Sequence, residues 1–224
     1  MNYLFIDSIP RMITSIPLHV AELSLHVSKF FSKYHKTFRS YLTFTQATLS
    51  DPRAIGAACP SSPFLAKAMA EQVDINTDGY VIELGGGTGM ITRALLERGV
   101  SPDKLITVEF SPVLAKHLHK EFPDIHVIEG DAGQLSQLLS DDVKEVHAIV
   151  SGLPLRSLPK PSVKAIKKQI YQLIDEKGFF IQFTYDLRLS HSQKNNFTLQ
   201  QTQVVLRNIP PARINTYVKR LTQE

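Results

Sequence analysis

The stretch Tyr80-Val81-Ile82-Glu83-Leu84-Gly85-Gly86-Gly87-Thr88-Gly89-Met90 constrains this chain more than any other. A short apolar run ends in an acid, a cluster of glycines follows, and a helical pattern resumes after it. That is a strand turning into a helix through a loop almost free of side chains. A ligand can lie directly against such a backbone, in front of the amides that open the helix. The dinucleotide spacing G-x-G-x-x-G would put glycines at 85, 87 and 90, but position 90 is Met90. The spacing present is Glu83-x-Gly85-x-Gly87-x-Gly89.

Around this loop the chain alternates regularly. Strands are predicted at 80–84, 104–109, 125–129, 146–150 and 179–185. Helices are predicted at 88–98, 112–122, 134–139 and 162–175. Such alternation predicts a parallel sheet wrapped on both faces. A polar loop at 186–196 precedes two further strands, 198–207 and 213–219, joined by Asn208-Ile209-Pro210-Pro211 and read as a closing antiparallel pair. Upstream, Cys59-Pro60-Ser61-Ser62-Pro63 is a turn-rich link, with Ser61 or Ser62 capping a helix at 64–72 and Pro63 at its first position.

The N-terminal part reads differently. Residues 1–23 are apolar but interrupted by Pro10 and Pro17, with no convincing secretory signal. From Ser24 to Phe44 the text carries Lys29, Lys33, Lys36 and Arg39 and no acid, interleaved with Phe30, Tyr34, Phe38, Tyr41 and Leu42 at helical spacing. An aromatic face beside a basic face describes a helix that lies in an anionic bilayer interface. It equally describes a helix packed on the core with a solvated basic edge, or an RNA-binding segment. The net charge of +4 and pI near 9.1 favour an anionic partner without naming it. No window of about 18 apolar residues suggests a membrane span. The lone cysteine, Cys59, excludes an internal disulfide and a cysteine-built metal site, and fits a reducing cytoplasm. His117, His119, His126 and His147 lack metal-ligand spacing and are read as surface residues.

Ligands of such sheets bind beyond the carboxyl ends of the strands. The second strand ends in Glu109, about twenty residues after the glycines, where a carboxylate can accept both hydroxyls of a ribose. Phe110, next along, packs either on a base or in the core. The third strand leads into Glu129-Gly130-Asp131-Ala132, where Asp131 either caps the next helix or, as in the class I methyltransferases that the chain resembles, reaches an adenine amino group. The fourth ends in Ser151-Gly152-Leu153-Pro154-Leu155.

The pattern Glu83-x-Gly85-x-Gly87-x-Gly89 resembles the first motif of class I S-adenosylmethionine-dependent methyltransferases. Enzymes of that class acting on adenine often carry Asn-Pro-Pro-Tyr or Asn-Leu-Pro-Tyr after strand four. This chain keeps the turn but has Ser151 first and Leu155 for the aromatic, so the stacking surface for a nucleobase is missing. Together with Val127–Ala132, Phe180–Tyr185 and Leu206–Arg213, these segments look like the bacterial phospholipid N-methyltransferases, over about residues 40 to 220. Gly86, where family members often have proline, is read as keeping the loop flexible.

The resemblance implies a Rossmann-like, seven-stranded, mostly parallel α/β sheet with helices on both faces and an antiparallel last strand. It implies a methyltransferase domain at 51–224 and an N-terminal amphipathic helical extension at 1–50 that binds membranes through Lys29, Lys33, Lys36 and Arg39. The cofactor is S-adenosylmethionine, with no metal, held by Glu83, Gly85, Gly87, Thr88, Gly89, Glu109, Phe110, Asp131, Ala132 and Ser151. The acceptor the resemblance implies is the amine of phosphatidylethanolamine, methylated repeatedly to phosphatidylcholine on the inner face of the bacterial membrane. Carbonyls at Gly152 and Leu153 are expected to hold the amine. Tyr185 is expected to orient or deprotonate it, or else to pack beneath the loop. Arg207 and Arg213 either meet the lipid phosphate or lie on the surface. Neither nucleic acid nor an obligate protein partner is expected. The rival readings are an RNA adenine dimethyltransferase and a non-catalytic membrane-binding protein on the same fold.

Overall fold

A computed structural model describes residues 62–187 and 196–220. The apolar segment 1–23, the basic aromatic stretch 24–44, Cys59 and the division of the chain near residue 50 lie outside the described residues.

Helix α1, Pro63–Ala70, starts as the sequence requires: Ser62 is its N-cap, accepting from the Leu65 amide at 3.2 Å, with Pro63 at the first position. Strand β1, Tyr80–Leu84, runs into the glycine loop and then helix α2, Met90–Arg98. Strand β2, Leu105–Glu109, is buried along its whole length. Helix α3, Pro112–Glu121, repeats the Ser-Pro start, with the Ser111 hydroxyl accepting from the Leu114 amide. Strand β3, His126–Glu129, a 3-10 turn at Ala132–Gln134 and the short helix α4, Leu135–Leu138, come next. Then follow β4, Val146–Ser151, helix α5, Lys160–Leu173, β5, Ile174–Thr184, β6, Phe197–Val205, and β7, Ala212–Lys219.

The seven strands form one sheet in the order β3-β2-β1-β4-β5-β7-β6. The first five are parallel, and β7 lies antiparallel between β5 and β6. Both faces are covered. Leu65, Met69, Leu95 and Leu118, from α1, α2 and α3, belong to one core, and Leu135 and Ile170, from α4 and α5, to the other. This explains why β2 and β4 read as nearly continuous apolar runs rather than alternating ones. Chain order turns back between β1 and β4, which opens a crevice at their carboxyl ends.

Two expectations change. The helix predicted to reach Asp175 stops at Leu173, and β5 starts at Ile174 instead of Phe179. Ile174 pairs with Val146, the chain bulges out over Asp175–Lys177, and Phe179 rejoins opposite Ala148. Gly178 makes the bulge possible, since a β-carbon there would sit 2.7 Å from Ile174 and about 3 Å from the His147 and Val146 carbonyls. His147 is not a surface residue. It is 5% exposed, because β4 lies between β1 and β5 in a sheet covered on both faces, and neither ring nitrogen has a hydrogen-bond partner.

Candidate active site

The glycine loop curls tightly at the end of β1. Gly85, Gly87 and Gly89 have φ of 79°, 56° and 82°, the left-handed region that costs other residues most. At Gly87 a β-carbon would meet only the Gly85 carbonyl, at 4.0 Å, so the loop faces open space there. Gly86 serves a different end. A β-carbon on it would lie 2.4 Å from Thr107 Cγ2 and 2.7 Å from Leu118 Cδ1, so this glycine is there for close packing on β2 and α3 rather than for flexibility. Helix α2 leaves the loop with Gly89 as its N-cap and no side-chain cap. Thr88 is exposed between them.

Glu83 is fully buried beneath this loop. Its Oε2 accepts from the Thr92 hydroxyl of α2 at 2.5 Å and the Thr107 hydroxyl of β2 at 3.0 Å, while Oε1 has no partner. Burial pushes the carboxyl up to about 7, against the pull of both threonine hydrogen bonds. Thr92 and Thr107 were not singled out by sequence reasoning. The available signal was a polar residue on a face otherwise occupied by core side chains.

Glu109 is also buried, and burial raises its pKa. Its Oε2 accepts from the Gly87 amide at 2.9 Å and its Oε1 from the Ser111 amide at 2.8 Å. The carboxylate therefore braces the glycine loop from below, and about half of its four lone-pair sites are taken. Phe110 is 42% exposed at the strand end, so the core alternative does not hold for it. Asp131 caps the 3-10 turn, Oδ1 accepting from the Gly133 amide at 2.7 Å, with the residue exposed at the strand end. The side chain of Ala132 is buried in the core beneath.

On the other side of the crevice, Ser151 is fully buried, and its hydroxyl accepts from the Leu153 amide at 3.3 Å. Gly152 touches the glycine loop backbone to backbone. Its amide donates to the Leu84 carbonyl at 2.9 Å, and a β-carbon on it would lie 2.9 Å from the Gly85 carbonyl. The Leu153 carbonyl, expected to await an amine, already accepts from Gln182 Nε2 at 3.0 Å. The same nitrogen donates to the Phe183 carbonyl at 2.9 Å, while Gln182 Oε1 is buried without a partner. Gln182 was missed because a polar residue in an alternating strand carries no mark of a contact 29 residues away.

Tyr185, just past β5, is half-buried, packed edge-on against Phe183 at 5.5 Å and against the α1–α3 core. Beside it, Asp186 pairs with Arg156 at 2.6 Å, tying the β4–α5 loop to the end of β5. The two arginines separate. Arg213 is not at the surface: it is 6% exposed, because β7 is flanked by β5 and β6. Arg207 is exposed, with its guanidinium 4.2 Å over the Phe64 ring.

The open backbone at Gly87 and the unpartnered, buried Glu83 Oε1 fit the adenosyl cofactor that the loop spacing suggests, with Glu109 and Asp131 at the neighbouring strand ends. Among the described residues no group of three or more His, Cys, Asp or Glu side chains could hold a metal.

A family of domains described as a methyltransferase domain matches residues 81–178. Magnesium protoporphyrin IX methyltransferase from Synechocystis, solved with bound S-adenosylmethionine, superposes with a TM-score of 0.56 at 13% identity, covering 88% of this chain and 97% of that one, a likeness of fold alone. Ribosomal RNA small subunit methyltransferase A of Mycoplasma capricolum is 28% identical over 59% of this chain, which spans about half (50%) of that enzyme's length. Ornithine lipid N-methyltransferase of Singulisphaera acidiphila is 33% identical over 165 residues, 71% of this chain and 85% of that enzyme. With that much shared over most of a relative's length, on a sheet and glycine loop of this kind, the chain belongs to the bacterial lipid N-methyltransferase family of class I S-adenosylmethionine-dependent methyltransferases.

Proposed function

We propose that this methyltransferase acts on the primary amine of a membrane lipid, converting phosphatidylethanolamine and its methylated intermediates to phosphatidylcholine. The observation that carries the reading is the turn after β4. Where enzymes acting on adenine present a flat ring, this chain has Leu155, packed against the α4–α5 core. A turn with carbonyls and no stacking platform suits a small aliphatic amine better than a base.

Bound S-adenosylmethionine supplies an electrophilic methyl group and a good, neutral leaving group. What remains for the protein is alignment and an amine without its extra proton. Gln182 and the Leu155 amide, at 3.0 and 2.9 Å, both donate to the Leu153 carbonyl and hold the turn rigid beside the place the amine would take. Tyr185 stands at the adjoining strand end to orient the amine, accept a proton or face the growing cation. Lys29, Lys33, Lys36 and Arg39 would hold the enzyme on the anionic inner face of the bacterial membrane, with Arg207 toward lipid phosphates.

Ornithine lipid is a second reading, favoured by the relative that acts on it. It offers the same chemistry, a primary amine on a lipid. Purified protein with methyl-labelled S-adenosylmethionine should label phosphatidylethanolamine in vesicles. Label confined to ornithine lipid would move the substrate within the class. Label in adenine-bearing RNA alone, or in no acceptor at all, would overturn the lipid reading.

A further inference from the structure

The connection between β6 and β7 inverts the usual placement of polar and apolar side chains. Leu206 and Ile209, at 73% and 76% exposure, are the most exposed large hydrophobic side chains among the described residues, while Asn208 between them is 1% exposed. The inversion is built in. The Asn208 side chain donates to the Pro210 carbonyl at 2.6 Å, and its backbone amide donates to the Val205 carbonyl. An amide bonded in this way is held inside, and the residues on either side of it are turned out.

The position of the turn indicates what those side chains meet. Val205 pairs with Ala212, and Arg213 with Thr184, so the turn projects past the sheet where β5 ends. That is also the end from which the glycine loop and the Gly152 turn emerge, since β1, β4 and β5 are parallel. Val204, 46% exposed, lies just before the turn. Phe64, 44% exposed, lies under the Arg207 guanidinium at the first turn of α1. Between Phe197 and Lys219 the sequence contains no acid. Exposed aliphatics around an arginine, with no acid in the segment itself and the nearby Asp186 paired to Arg156, match an anionic lipid interface.

We infer that the 206–211 turn is a wedge that enters the bilayer, with Leu206 and Ile209 among the acyl chains and Arg207 at the phosphates. It brings the crevice between β1 and β4 down to the lipid headgroups. Its purpose rests on the lipid-amine reading above, but its occupant can be tested without turnover.

The full-length chain carrying Cys59→Ser and Ile209→Cys, labelled with an environment-sensitive dye, is mixed with phosphatidylglycerol–phosphatidylethanolamine vesicles. The dye emission should shift to the blue and become quenchable by spin-labelled acyl chains. Leu206→Ser with Ile209→Ser should weaken vesicle binding at least about tenfold, as expected for losing two buried aliphatic side chains. Affinity for S-adenosylmethionine should stay unchanged, which shows the fold intact. A dye that stays in water while the protein is vesicle-bound overturns the wedge. So does a dye already shielded before vesicles are added, which would mean that the chain's own residues or a second copy cover the turn. Wild-type vesicle affinity in the double variant overturns it as well. Immersion of the turn without lipid methylation would count against the lipid-amine reading alone, and methylation without immersion against the wedge alone.

Discussion

Glu83 holds its proton more tightly in the folded protein than out of it. Burial raises its pKa from 4.5 to about 7, so between those values the folded state keeps a proton that the unfolded chain has released. Stability contributed by this group is therefore greatest below about pH 4.5 and falls as pH rises to about 7, by an amount on the order of 3 kcal/mol. Glu83→Gln should flatten that fall, measured by denaturant melts at pH 5 and pH 8. The same change should weaken S-adenosylmethionine binding by more than about tenfold in calorimetry, since the buried acceptor beneath the glycine loop is replaced by an amide that also donates. An acid closing an apolar run before three alternating glycines was legible as a functional residue. Its partners were not, because Thr92 and Thr107 reach it from 9 and 24 residues away and hydroxyls in buried positions look like any other small side chain.

At the scale of elements, the strand and helix alternation is legible to within a few residues from β1 to β4, because those strands are short, largely apolar and bounded by turn residues. What escaped was how strand ends are tied together. Glu109 stands where a ribose-binding carboxylate is expected, and it also braces the Gly87 amide. The β4 turn was read as presenting open carbonyls, yet Gln182 reaches across from β5 to hold one of them. Both contacts depend on the sheet order, which places β1 beside β2 and β4 beside β5 and is not written in any local pattern. Gln182→Leu keeps the volume but removes the donor shared by the Leu153 and Phe183 carbonyls. It should cost about 1–3 kcal/mol of stability and lower kcat while S-adenosylmethionine affinity holds. Denaturant melts, initial rates and calorimetry on the one variant check all three.

On the scale of the whole molecule, the function proposed above divides methyl donor and acceptor between two halves of one sheet. Strands β1, β2 and β3 end in the glycine loop, Glu109 and Asp131, while β4, β5 and β6 end in the Gly152 turn, Tyr185 and the 206–211 turn. Membrane attachment adds a second contact if the stretch 24–44 is the interfacial helix proposed above. Lys29→Glu, Lys33→Glu and Lys36→Glu together should then release the protein from anionic vesicles in co-sedimentation, with cofactor affinity intact. Such binding should also weaken as salt is raised, whereas the aliphatic contribution of the wedge should not. The halves meet tightly where Gly152 lies against the Gly85 carbonyl with no room for a β-carbon. Leu153 belongs to the same seam, since a β-carbon on Gly85 would lie 2.6 Å from its Cδ2, so a new acceptor is better sought by varying 154–155 and 182–187. At this seam the two specificities are mechanically one, and any broadening of the acceptor that displaces Gly152 is registered by the cofactor as well.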